Sequence, residues 1–255
     1  MCAAADECLR AAVNWCHLPP MNPRVLALPL LLAPVPALAA DRVFSVGSFE
    51  RVRVDGPFEV RIVTGESPGA TASGDRQLIE RIAIAVNGGT LSVRLGTGGW
   101  GETFRADNAT PPVIILRTPR LGTLAVSAGA RVTVNRLASQ KVDVSLAGSG
   151  SVVAERIDAD QFSASLVGAG TITAGGQANR ARLITDGPGV IDASKLAVKD
   201  LTVLLTGPGE TRAAARYTAS VTNAGLGKVT VAGNATCTVR AAGGGPVSCG
   251  KLVAK

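Results

Sequence analysis

Four sets of residues carry types and spacings that suit chemistry. The first is two pairs of carboxylates, Asp158 with Asp160 and Asp186 with Asp192. Paired carboxylates supply the general acid and base of polysaccharide hydrolysis or elimination. Asp158 and Asp160 share a strand-like face. Asp186 and Asp192 flank a Gly-Pro-Gly turn, where aspartate commonly bonds its own backbone. The second set is Cys2, Cys8, Cys16 and His17, the only histidine of the chain. Their spacing matches no zinc pattern, and Val13 stands where a haem-attachment motif needs cysteine. The third is Cys237 and Cys249, a disulfide in an oxidising compartment or otherwise two small buried thiols. The fourth is Arg131, Arg156, Arg180, Arg182, Arg212 and Arg216, a candidate surface for anionic glycans or lipid head groups, or else ordinary solvated charges. No cofactor or metal motif emerges. Gly148-Ser149-Gly150 is not a dinucleotide loop, because no βαβ unit surrounds it. The nine-residue, aspartate-bearing period of calcium-binding β-rolls is absent too.

These residues sit on a repeat. The first glycine-bearing corners fall at positions 128, 148, 168, 187, 207, 225 and 243, in steps of 20, 20, 19, 20, 18 and 18. Most corners hold two glycines around one residue: Gly148 and Gly150, Gly168 and Gly170, Gly187 and Gly189, Gly207 and Gly209, Gly225 and Gly227. Their reading is structural: a sharp turn where a Cβ would clash. Between the corners, apolar residues recur two apart and align from copy to copy. Val144, Ala164, Leu183, Val203 and Val221 form one such column, and Val132, Val152, Ile172, Ile191, Thr211 and Val229 another. Alternate side chains of a strand face one side, so each copy offers the same inward set and stacking buries it. The pattern predicts an all-β fold, a parallel β-helix or β-solenoid of about seven coils of 18–20 residues. The hand is not fixed by the pattern, and right-handed winding is the expectation.

Composition agrees with thin stacked layers. Hydrophobic residues make up 46% of the 255, aromatics only 3%, and glycine contributes 30. The net charge of +7 favours anionic surroundings. No Lys/Arg run is present and aromatics are not interleaved with basic residues, which argues against nucleic acid.

Ahead of the repeats, residues 43–63 read as strands around a turn at Asp55-Gly56-Pro57, Asp75 to Arg81 as one helical turn, and Asn87-Gly88-Gly89 as a hairpin turn. Residues 96–112 read as a long loop holding Trp100 and Phe104, which either pin it to the lobe or meet a ligand. Met21 to Ala39 has a basic start, a short Leu/Ala/Pro-rich apolar run and an Ala37-Leu38-Ala39 cleavage signal, the order of a secretory leader. The expected organisation is therefore a removed or non-native segment at 1–20, a signal peptide at 21–40, an N-terminal β lobe capping the stack at 41–120, and the solenoid at 121–255. Residues 41–255 would form one continuous domain. A mature chain starting near Ala40 or Asp41 has no histidine, no transmembrane span and only Cys237 and Cys249 as cysteines.

The stretch from Phe49 to Val60, the Thr118-Pro119-Arg120-Leu121 strand exit and the serial Gly-Ser-Gly-type corners resemble the putative auto-transporter adhesin head (GIN) domain family. The resemblance covers roughly residues 43–250, and departs from the family in the prolines at two corners and the extra N-terminal twenty residues. It implies an exported bacterial envelope protein, periplasmic or at the cell surface, with a β-solenoid fold and no catalytic residues to carry over. The function expected is non-enzymatic adhesion, scaffolding or binding, with an anionic glycan, lipid head groups or another envelope protein as partner. The alternative is a polysaccharide lyase or hydrolase built on a parallel β-helix, supported only by analogy of fold.

Overall fold

A computed structural model describes residues 40–96 and 111–252. The expected leader, Cys2, Cys8, Cys16, His17, Trp100 and Phe104 lie outside the described residues. In chain order the elements before the repeats are β1 (Ala40–Phe44), β2 (Arg51–Asp55), β3 (Glu59–Thr64), β4 (Gly69–Gly74), α1 (Arg76–Glu80), β5 (Ile82–Asn87), β6 (Thr90–Leu95), β7 (Val113–Thr118) and β8 (Thr123–Ser127). The coils follow as β9 (Arg131–Ala147), β10 (Ser151–Val167), β11 (Thr171–Asp186), β12 (Val190–Thr206), β13 (Glu210–Asn223), β14 (Lys228–Ala241) and β15 (Val247–Leu252). All strands from β9 to β15 pair in parallel, each with the next.

The stack holds six full coils, β9 to β14, with the six-residue β15 laid on the last. From β9 to β13 successive coils pair through three short ladders, and β13 pairs with β14 through two. Residues 151–154, 156–159 and 161–167 of β10 pair with 131–134, 136–139 and 141–147 of β9. Val144, Ala164, Leu183, Val203 and Val221 are register partners in sequence, and all are buried. The core is thus a set of straight columns, one residue per coil, rather than a thick interior.

The corners explain the paired glycines. Gly148 takes φ 100°, a conformation that costs other L-residues. The second glycine serves a different end, because a Cβ on Gly227 would stand 2.1 Å from the Gly209 carbonyl oxygen of the coil before. Asn223 stitches one corner with its side chain, accepting from Gly225 N at 3.1 Å and donating to Gly227 O at 2.8 Å. Thr185 and Thr211, both buried, bond each other at 2.9 Å across coils.

The N-terminal strands continue the same stack out of chain order. β3 pairs in parallel with β9, and β2 with β8. On their far sides β3 pairs with β7 and β2 with β6, again in parallel. One coil made of β2 and β3 is therefore inserted between β6/β7 and β8/β9. Its turn at Gly56-Pro57-Phe58 lies in register with Ala128-Gly129-Ala130 and hence with Gly148-Ser149-Gly150. At the outer end the pairing turns antiparallel, β4 on β7, β1 on β4 and β5 on β6. The expected helical turn is α1, capped by Asp75, whose carboxylate accepts from Gln77 N and Leu78 N. β4, Gly-Ala-Thr-Ala-Ser-Gly, has no expected counterpart, and its Ala70 and Ala72 are buried.

A candidate binding groove along the coils

Each coil has a second bend, opposite in purpose to the glycine corner. Past the inward residues Leu137, Ile157 and Leu196 the strand must change direction, and the register slips nearby, between Ala154 and Ile157 and between Ala193 and Ala197. Coils of 18 to 20 residues share one corner spacing only if this bend absorbs the difference. A groove of about 1010 Å³ runs over the bends of β9 to β14. Three successive residues from each of β10 to β13 build it, with two each from β9 and β14. The middle ones, Ala159, Ala178, Val198 and Ala215, are register partners along its base, and Ala178, Val198 and Ala215 are buried with the core. One wall carries Asp158, Gln177, Ala197 and Ala214, and the other Gln140, Asp160, Asn179, Lys199, Arg216 and Asn234.

Both members of the first carboxylate pair lie here, each held by the coil that follows. Gln177 Nε2 donates to Asp158 Oδ1 at 3.2 Å, and Asn179 Nδ2 donates to Asp160 Oδ1 at 2.7 Å. Arg136 Nη2 reaches Asp158 Oδ2 at 3.3 Å. The Gln177 hydrogen bond, then Arg136 and Arg156, hold the Asp158 carboxyl below its ordinary value. The second pair is divided by the glycine corner, Asp186 ending β11 and Asp192 following the corner on β12. Asp192 accepts from Ser194 N at 3.0 Å and Ser194 Oγ at 2.6 Å, and Arg212 Nη1 stands 3.7 Å away. These contacts, the Ser194 hydroxyl foremost, depress its pKa as well. A general acid needs the opposite, a carboxyl raised towards neutrality. Among the described residues no group of three or more His, Cys, Asp or Glu side chains is placed to hold a metal ion.

The six arginines do not meet on one face. Arg131 and Arg212 lie on the ladder after the corner, and Arg212 is committed to Glu210 at 2.7 Å as well as Asp192. Arg180 and Arg182 lie on the ladder before the next corner, exposed and two residues apart. Arg156 stands at the middle bend in register with Arg136, and Arg216 lines the groove. Cys237 and Cys249 are joined by a disulfide, with Cα atoms 6.2 Å apart, between β14 and β15. The glycines singled out from sequence occupy the corners, with Gly150, Gly170, Gly189, Gly209 and Gly227 packed on the coil before.

Sequence reasoning missed the groove and, within it, Gln177, Asn179 and Lys199. A signal exists: Asp160, Asn179 and Lys199 recur at steps of 19 and 20, as the corners do. It is visible only when polar columns are aligned as apolar ones are.

Residues 48–235 match the family described as putative auto-transporter adhesin, head GIN domain. No curated protein matches the sequence. Among crystal structures, a putative adhesin from Bacteroides fragilis superposes with a TM-score of 0.71 at 18% identity, covering 84% of this chain and 94% of that one. A putative adhesin from Parabacteroides merdae gives 0.66 at 20% identity, covering 85% and 96%. A putative lipid binding protein from Parabacteroides distasonis gives 0.66 at 18% identity, covering 85% and 97%. At these identities the likeness establishes the shared fold.

Proposed function

Because this chain belongs to the putative auto-transporter adhesin, head GIN domain family, we propose that it is an exported cell-envelope protein that binds and does not catalyse. The observation that carries this reading is the state of its carboxylates. Asp158 and Asp160 are bonded to amides of the next coil, and Asp192 to Ser194, so neither candidate pair is arranged as acid and base. Export is supported by the leader pattern at 21–40 and by a bonded cysteine pair, which persists in oxidising compartments. In this reading the mature chain begins near Ala40 or Asp41, and residues 41–255 act as one domain. No helix among the described residues is long and apolar enough to cross a membrane.

The partner classes are an anionic glycan, lipid head groups or another envelope protein. The Parabacteroides distasonis neighbour's description as lipid binding gives the second class weight. Arg180 and Arg182, side by side on an exposed ladder, are the arginines best placed to share one anionic group. The test is to express the full chain in a bacterial host, fractionate it, and measure retention of the purified mature protein on isolated envelopes. The reading expects a processed chain in the envelope or medium and saturable retention. A cytoplasmic chain retaining Met1, or turnover of an acidic polysaccharide abolished by Asp158→Asn or Asp186→Asn, would overturn it.

A further inference from the structure

We propose that the face formed by the ladder before each glycine corner docks on an anionic phospholipid bilayer, with Tyr217 and Leu226 as its apolar anchors; this deepens the binding reading above and rests on it. The first argument is where the charge sits. Residues 211–255 hold six Lys and Arg and no Asp or Glu, whereas the 210 residues before them hold twenty basic and nineteen acidic ones. The net charge of +7 is therefore carried almost wholly by the C-terminal end of the stack. A bilayer rich in anionic lipid attracts such an end, each Lys or Arg near the surface adding to its hold.

The second argument is exposure. Tyr217, the only tyrosine of the chain, is 56% exposed and Leu226 is 76% exposed, and both belong to this acid-free end. They bracket one ladder: Tyr217 stands just before residues 218–223 of β13, and Leu226 at the glycine corner just after them. Between the two, Ala219, Val221 and Asn223 are buried, while Thr218, Ser220 and Thr222 face outward beside Thr236, Thr238 and Arg240 of β14. Each anchor has a cation close in the chain, Arg216 before Tyr217 and Lys228 after Leu226. Apolar and tyrosine side chains beside cations suit the head-group region of a bilayer. The third argument is a place for a phosphate. Further along the same face a depression of about 370 Å³ is lined by Gln161, Ser163, Arg180, Arg182 and Thr202 among others. Arg182 stands in register with Ser163 and Thr202 of the adjoining coils, and neither Arg180 nor Arg182 makes an ion pair among the described residues. Of the acids nearby, Asp143 is paired with Lys141 at 3.2 Å, and Asp200 accepts from Thr218 Oγ1 at 2.7 Å. Asp186 remains at the β11 corner, and at the bend edge Lys199 offsets Asp160 in formal charge. A soluble polyanion would use the arginines and leave Leu226 in water, whereas a bilayer covers both.

The test is co-sedimentation of the disulfide-intact mature protein with vesicles of phosphatidylcholine, or of phosphatidylcholine and phosphatidylglycerol in equal parts. The mixed vesicles are expected to bind at least about tenfold more tightly than the neutral ones, and more weakly as salt rises. Tyr217→Ser with Leu226→Ser is expected to weaken that binding at least about tenfold with Tm unchanged. Should that variant fold poorly, Lys228→Ser with Arg240→Ser reads the same end and is expected to weaken binding by at least about tenfold too. Contact is read separately by fluorescence. Leu226→Trp is expected to add a signal, over that of the wild type, which brominated lipid quenches. Val43→Trp, at the opposite end of the strand order, is expected to add one that it does not quench. Absence of binding to mixed vesicles, equal binding to neutral ones, binding indifferent to both double variants, or quenching of Val43→Trp in place of Leu226→Trp overturns the proposal. Displacement from vesicles by hexagalacturonate, bound equally well by the Tyr217→Ser, Leu226→Ser variant, also overturns it and makes the ligand a soluble polyanion. Envelope retention separates the two levels: if retention persists while the vesicles fail, the bilayer assignment falls and the binding reading stands. If the wild-type protein is not retained at all, the binding reading falls.

Discussion

Ala128 is the non-glycine residue with positive φ among the described residues, at 57°, and it occupies the column otherwise held by Gly56, Gly148 and Gly168. An L-residue there is strained by roughly 1 kcal/mol. Ala128→Gly is therefore expected to stabilise the protein by about 1 kcal/mol, read as a shift in the urea midpoint at constant m-value. Gly227→Ala is expected to do the reverse. Its Cβ would meet the backbone of the neighbouring coil rather than a movable side chain, at a cost of about 3 kcal/mol or more. Asp192 makes a pH-dependent contribution. Its pKa is lowered in the folded state, so its contribution is complete above the ordinary value of 3.8 and fades as pH falls through the depressed one. The group is partly exposed, and solvent screening keeps the effect small. Asp192→Asn should lower Tm near neutrality, where the charged group contributes, and converge with the wild type at the acid end, so that its acid limb is flatter.

At the scale of the element, the apolar columns were legible and the bends were not. Val144, Ala164, Leu183 and Val203 could be aligned from sequence because a period of two inside a period near twenty leaves a single register that buries them. The bends absorb insertions, so no fixed count reaches them from a corner, and the groove they create stayed hidden. The coil of β2 and β3 was hidden for another reason. Asp55-Gly56-Pro57 repeats the Asp186-Gly187-Pro188 corner, but 72 positions separate Gly56 from Ala128 and break the period. β15 poses its own question, being held among the described residues by β14 on one side and by the disulfide. Reduction, or Cys237→Ser with Cys249→Ser, should remove about 2–3 kcal/mol from the unfolding of that end. Hydrogen exchange is expected to rise first in β15 and the adjoining part of β14. Two reactive thiols in unfolded, unreduced mature protein would show that the bond does not form in the cell.

For the whole molecule, stability is shared along a line, because each coil touches chiefly the one before and the one after. Chain order and spatial order agree from β9 onward and disagree before it. A trim from the C-terminal side, removing β14 and β15 together, exposes a fresh coil face but leaves every remaining storey seated on its neighbour. Removing residues 48–64 takes out a middle storey, with β6 and β7 on one side of the vacancy and β8 and β9 on the other. The first truncation is expected to yield a folded, less stable protein by circular dichroism, and the second none. The early segment thus works as a keystone. Synthesised first, it is locked only when residues made much later close over it, so a chain emerging N-terminus first cannot complete its opening storeys until β8 and β9 are made.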